Sequence, residues 1–462
     1  MEKRITELLE NKGENYILPF FWQHGEDEET LREYMGAIQD CGIGAVCVEC
    51  RPHPDFCGPK WWTDMDIIMD EARTRGMKVW RLDDAHFPTG YANGALKHAD
   101  AALCKQYLFF GTADVTGPNP EAMLDIADMA RYKPNPMAGS NMFMRRGYEP
   151  REFDDDKLFA VIAAKQVENT KYAPETLDLT GLVDKDGKLY WDVPEGTWRV
   201  VVLYNTHNGG GRTDYINVID KESCRVQIDA VYEPHWERYK DDFGKTFAGF
   251  FSDEPLFGNT MGFDFNESIG RRNMPLPWNK DVPEMMEERL GTEWKKLLPM
   301  LWTESSCPDC TAKVRHAYMD TVTRLVEQNF SKQLGEWCSA HGVEYIGHVV
   351  EDNNQHNRLG SSLGHYFRSL AGQHMAGIDD IGGQVLPNGE DSTRRFAGDG
   401  EFYHFALGKL GSSHAHIDPK KKGRAMCEIF GAYGWNESVR MMKYIADHFI
   451  VRGVNHYEPR HK

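Results

Sequence analysis

The chain has 462 residues, with 53 Lys and Arg against 71 Asp and Glu, a formal net charge of −18. That length allows two or three domains or one large barrel carrying an insertion, and 41% hydrophobic residues exclude global disorder. The acidic balance, without a Lys/Arg stripe interleaved with aromatics, speaks against nucleic acid as a partner. No apolar run nears the ~20 residues that cross a bilayer, so no membrane partner is expected.

The N-terminus lacks the apolar stretch of a signal peptide. The ten cysteines are scattered, which reads as reduced thiols and not as a disulfide framework. A cytoplasmic protein is the expectation. In chain order, Ile17-Leu-Pro-Phe-Phe-Trp-Gln-His24 reads as a buried strand, followed by a helix that the acidic run 26–29 opens. A second strand covers 44–51, a second helix runs from Asp64 to Arg75, and a third strand covers 78–84. Near-continuous apolar strands alternating with helices predict a parallel sheet covered by helices.

From about Leu108 to Lys245 the rhythm changes. Strands at 157–164, 189–193 and 198–204 follow one another across turn-like breaks, Asp184-Lys-Asp-Gly187 and Pro194-Glu-Gly196. This predicts an inserted all-β, sandwich-like domain over 108–245, and a helix through 234–240 returns the chain to its first architecture. Further strands near 246–253, 343–350, 376–381, 424–430 and 454–457 bring the parallel set to eight. The expected fold is α/β, a (β/α)8 TIM barrel formed by residues 1–107 and 246–462, with the insert after strand three. The chain stops at Lys462, just past strand eight, which suggests that a downstream part is missing.

In such a barrel chemistry sits at the C-terminal ends of the strands. Those ends are His24, Glu49 with Arg51, Asp83 with Asp84 and His86, Asp253 with Glu254, His348 with Glu351 and Asp352, Asp379 with Asp380, Glu428, and His456. Converging carboxylates raise one another's pKa and so supply an acid beside an ionised base. Aromatics such as Trp22, Phe87, Tyr91 and Tyr433 accompany them, which is carbohydrate chemistry: ring faces on sugar C–H, carboxylates on hydroxyls. Two carboxylic acids flanking a glycosidic bond can cleave it. Glu254 and Glu428, facing each other from roughly opposite sides, are the leading pair: general acid, and base or nucleophile. Glu351 is the first substitute for either. Asp83, Asp84, His86, Asp253, His348, Asp379, Trp22 and Tyr433 are candidates for holding the substrate, an oligosaccharide or glycoside.

Structural readings stand beside these. Asp83-Asp84 can cap the next segment, Glu428 can pair with a core arginine such as Arg81, and Glu49 with Arg51 can be a structural ion pair. Trp61-Trp62 reads as core, Lys420-Lys-Lys422 as a solvated loop, and Cys307-Pro-Asp-Cys310 lacks the second pair a zinc site needs. Two rival functions remain. One is a metal-dependent isomerase or hydrolase using His24, Glu49, Asp83, His348, Asp379 and His456. The other is a non-catalytic sugar-binding barrel.

The opening strand–helix–strand, the run from Asp178 to Trp198 with its Trp-Asp-Val-Pro-Glu-Gly-x-Trp hairpin, and Val451-Arg-Gly-Val-Asn455 resemble the α-L-rhamnosidase family 106 of glycoside hydrolases. Cys427-Glu-Ile-Phe430 resembles that family's Glu-bearing strand near the end of the barrel. Phe251-Ser-Asp-Glu-Pro255 stands where the family has an acidic motif of different spelling. The resemblance implies hydrolysis with inversion and a dependence on calcium. Asp253-Glu-Pro255 also looks like the Asn-Glu-Pro of the large retaining barrel clan, so the stereochemistry stays open.

Overall fold

The computed structural model describes residues 2–10, 15–133, 151–260, 268–271, 274–350, 356–390, 399–434 and 437–460. Its strands are Phe20–Trp22 (β1), Ala45–Glu49 (β2), Lys78–Leu82 (β3), Gln106–Asp125 (β4), Lys157–Glu168 (β5), Lys171–Asp178 (β6) and Lys188–Thr206 (β7). They continue with Phe247–Asp253 (β8), Leu276–Trp278 (β9), Glu304–Ser305 (β10), Glu344–His348 (β11), Ala376–Ile381 (β12), Ala425–Gly431 (β13) and His456–Pro459 (β14). All eight expected parallel strands are present. They form two sheets, β1-β2-β3-β8-β11 and β12-β13-β14, and not one uninterrupted ladder.

The two sheets meet at both edges. A parallel bridge joins Ile17 to Tyr457, and the Leu18 N–H donates to the Tyr457 carbonyl at 2.9 Å. At the other edge Gly377 of β12 packs on Gly347 of β11, where an added Cβ would fall 1.8 Å from the Gly347 oxygen. Strand periodicity sorts the side chains. Val46, Val48, Val79, Tyr345, Ile378 and Cys427 belong to the large outer core beneath the helices. The alternate residues Cys47, Leu82, Phe251, Ile346 and Met426, with Leu18 and Met375, form a separate apolar cluster enclosed by the parallel strands.

The helices follow their start signals. Asp27 caps Glu28–Asp40 by accepting the Thr30 N–H, and Pro59 opens Pro59–Arg75 five residues before the sequence reading placed it. Trp61 is core, as read. The long helix after Pro308 runs to Ala340 with a π-type turn at Val326–Lys332.

The expected antiparallel region is one six-stranded sheet, β10-β6-β5-β7-β4-β9, and not two stacked sheets. Register shifts near Gly117 and Asn119 bend the β4–β7 ribbon, so that Trp191 meets Trp198 edge-on at 5.7 Å over a core of its own. Two short strands from beyond residue 245, β9 and β10, complete it.

Three local readings are corrected. Cys307 and Cys310 form a disulfide at the start of the helix Pro308–Leu325, because that turn brings residues i and i+3 together, while eight cysteines are free thiols. Lys421 is buried, not solvated: its Nζ donates to the Leu370 and Gln373 carbonyls at 2.7 Å, and burial brings its amine down to about 8. Arg81 donates to the Val48 carbonyl and lies between the rings of Phe56 and Trp61, not beside Glu428.

The sheet contact at Gly377 leaves no room for a methyl group. Gly377→Ala should cost about 2 kcal/mol or more by overpacking, seen as a lower urea midpoint with little change in slope.

Candidate active site at the strand ends

Period-two alternation carries the inner face of the parallel strands from apolar to charged within one residue pair. Above Cys47, Phe251, Ile346 and Met426 stand Glu49, Asp253, His348 and Glu428. Registers set the neighbours: His348 lies beside Asp253, while Asp379, Glu428 and Glu458 lie side by side. All are at most 2% exposed.

Charge pairing organises this layer. The Arg51 guanidinium bonds Glu49 and Asp253, each at 2.6 Å. Arg460 bonds Glu428 Oε1 at 2.8 Å and lies 3.8 Å from Glu49 and 3.9 Å from Asp253. His348 Nε2 reaches Glu428 Oε2 at 2.9 Å and Asp253 Oδ1 at 3.6 Å. Burial alone would raise the Glu428 carboxyl, but Arg460 and the hydrogen bond with His348 outweigh it and hold it down to about 2. Burial keeps Glu49 above the usual carboxylate range, with both guanidinium groups opposing. Glu458 differs again. Its oxygens have no hydrogen-bond partner among the described residues, and burial, then the charges of Glu428 and Asp253, push it well above the usual carboxylate range.

Glu254 joins the cluster by leaving the strand. In extended backbone it would face away from Asp253. Its φ of 46° is left-handed, a conformation that costs a non-glycine residue ~1–3 kcal/mol and is held at sites that over-determine it. One oxygen each of Glu254 and Asp379 and a ring nitrogen of His348 lie within 4.8 Å of one another. The same imidazole therefore borders Glu428 and Glu254. The two glutamates stand on either side of the β11–β12 edge, Glu254 just past β8 and Glu428 on β13.

Other candidates lie elsewhere. Asp83 accepts from the hydroxyls of Thr89, Tyr232 and Ser252, and burial raises it to about 7 despite those bonds. Asp84 accepts the N–H groups of Ala85, Gly90, Ala92 and Asn93 and ties down the β3 loop. Both carboxylates are thus committed to the fold, which is the capping reading. His86 stacks edge-on to Tyr91 in that loop. Tyr433 donates to Asp380 and to the Val385 carbonyl. Trp22 lies under the Arg460 guanidinium at 5.3 Å and stays at the cluster's rim. Glu351 and Asp352 lie outside the described residues. Arg460 and Glu458 were missed, although the alternation His456, Glu458, Arg460 marks one strand face.

The six-residue metal set does not assemble. His24 pairs with Glu26, Asp83 is taken by hydroxyls, and His456 bonds its neighbour Asn455. Nor does the cluster suit calcium, which takes six to eight oxygen ligands. An imidazole stands at its centre, and guanidinium groups already occupy Asp253 and Glu428.

Buried carboxylates at the C-terminal ends of parallel strands, rimmed by an aromatic face, are the equipment of a carbohydrate-active α/β protein. A family model described as alpha-L-rhamnosidase matches residues 152–458. The chain belongs to that family, glycoside hydrolase family 106. Among solved structures, "Structure of Rhamnosidase from Novosphingobium sp. PP1Y" aligns with a TM-score of 0.62 at 12% identity, a likeness of fold. The alignment covers 97% of this chain and 55% of that one. No curated protein matches in sequence. No helix among the described residues is long and apolar enough to cross a membrane.

Arg460→Gln would leave Glu428 buried against a neutral partner, costing about 3 kcal/mol. Because the folded pKa of Glu428 lies below its ordinary 4.5, its stabilisation is present above about pH 4.5 and lost towards pH 2. Urea titrations across that range should show the variant's deficit at neutral pH and its shrinkage on acidification.

Proposed function

We propose that the chain is a glycosidase that cleaves α-L-rhamnosides or related exo-positioned glycosides, with Glu254 as proton donor and Glu428 as its ionised partner. The observation that carries this reading is the shared imidazole: one carboxylate that Arg460 keeps charged and a second that a left-handed turn delivers to the same histidine. Glu254 would protonate the glycosidic oxygen as the C–O bond breaks, and the leaving alcohol departs with that proton. Glu428 would face the anomeric carbon and offset its developing positive charge, bonding to it or deprotonating the incoming water. Asp379 would take a sugar hydroxyl, Asp253 would act through its pairing with Arg51, and Trp22 would offer a ring face.

We read the two parallel sheets as arcs of one (β/α)8 barrel, since their inner residues share a single apolar cluster and a single charged layer. Residues 1–107 and 246–462 would then form the catalytic unit, and 108–245 the β-rich insert that β9 and β10 extend. A metal-dependent reaction is a second reading: Glu49, Asp253 and Glu428 are paired with arginine, so Glu254, His348 and Asp379 are the group that would hold an ion. A sugar-binding barrel without turnover is the remaining alternative.

Glu254→Gln should lower kcat about a thousandfold on a phenyl glycoside, within the usual range for general acid catalysis, and far less on a dinitrophenyl glycoside, which needs no proton. Glu428→Gln should cripple both. Steady-state kinetics over an aryl-glycoside panel that includes α-L-rhamnoside checks this. Binding without turnover by the parent chain would leave only the sugar-binding alternative.

A further inference from the structure

We infer that Lys105 is a positioning residue for Glu254, acting through the carbonyl oxygen of Gly258; this rests on the proton-donor reading above. Lys105 stands just before β4, where the chain leaves the parallel strands, and is 2% exposed. Its Nζ donates to the Gly258 carbonyl at 3.2 Å, and the Tyr107 hydroxyl donates to the same oxygen at 2.9 Å. The amine lies 4.8 Å from the Tyr215 ring centroid, and the Tyr215 hydroxyl accepts the Leu256 N–H at 3.3 Å. Leu256 and Gly258 are therefore held by side chains from the start of β4, Lys105 and Tyr107, and by Tyr215.

The fit is tight on both sides of that carbonyl. Gly258 has a left-handed φ of 58°, and a Cβ there would fall 2.3 Å from the lysine Nζ. Burial drives the amine well below the usual lysine range, with the charge of Asp214 opposing. An apolar side chain would fill the same volume at less desolvation cost, so the amine is explained by the oxygen it holds. Four residues upstream is Glu254, itself left-handed and one residue beyond the strand. Its direction follows the path of the short loop whose far end this grip fixes.

The test compares Lys105→Met and the milder Tyr107→Phe with Glu254→Gln on phenyl and dinitrophenyl α-L-rhamnoside. Displacing a proton donor slows only the substrate whose leaving group needs the proton. Lys105→Met should lower kcat roughly thirtyfold on the phenyl glycoside and leave the dinitrophenyl rate within about twofold, KM being unchanged for both. Tyr107→Phe should move the same way by a smaller factor, and it carries the test if the lysine variant does not fold. Equal losses on the two substrates would mark a purely structural role and overturn the inference. So would a leaving-group dependence in Glu254→Gln that neither Lys105→Met nor Tyr107→Phe reproduces. Were Glu254→Gln itself indifferent to leaving group, the proton-donor reading would fail first and take this inference with it.

Discussion

Charge cannot be buried in the middle of a parallel sheet unless it is paired, and that constraint organises the molecule's business end. Taking a single carboxylate out of water costs several kcal/mol even after relaxation. Here Glu49, Asp253 and Glu428 are buried together, and two guanidinium groups and one imidazole hold them. Both arginines lie two residues beyond a buried glutamate and just past its strand, Arg51 after Glu49 and Arg460 after Glu458. Arg460 does more than neutralise. It reaches from the three-stranded sheet to Glu49 and Asp253 of the five-stranded one, while His348 crosses the opposite edge to Glu428. The ion web is thus also a tie between two sheets whose backbones are joined at one edge by a single bridge.

Much of this was legible in the sequence. Apolar runs and helix start signals located all eight parallel strands, and the habit of carboxylates to end those runs located Glu49, Asp253, Glu254, His348, Asp379 and Glu428. What escaped was pairing, which depends on three-dimensional neighbours and not on local pattern. Arg460 lies three residues beyond the last expected strand, 454–457, where no strand-end reading reaches it. Lys421 looked solvated because it lies in a triple lysine, although two carbonyl groups wait for it in the interior. Asp83 and Asp84 read first as sugar ligands with capping as the alternative, and the hydroxyl and N–H donors that meet the capping reading come together only in the fold. The bend of the β4–β7 ribbon was hidden for a different reason: register shifts change which residues oppose one another without breaking the alternation.

The neighbouring acids Asp253 and Glu254 show how one dipeptide can serve two ends. In a continuing strand one of them would point inward and the other towards the helices. Asp253 keeps the strand conformation, and its carboxylate is spent on Arg51. Glu254 breaks from it at φ 46° and comes back to His348. A strained backbone persists only where the surroundings hold it, and here they do so from both ends. The Thr89 hydroxyl accepts the Asp253 N–H, the Thr89 N–H donates to the Asp253 carbonyl, and Gly258 is gripped four residues on. Glu428, by contrast, sits mid-strand and needs no special backbone, because charge pairing alone fixes its state. On the proposed reading the two acids are tuned by different means, one by electrostatics in a rigid strand and the other by placement at a turn. A proton donor has to meet the glycosidic oxygen while its partner faces the anomeric carbon one bond away. A turn after one strand and a ladder position on another bring two carboxyl groups to the same bond from different directions.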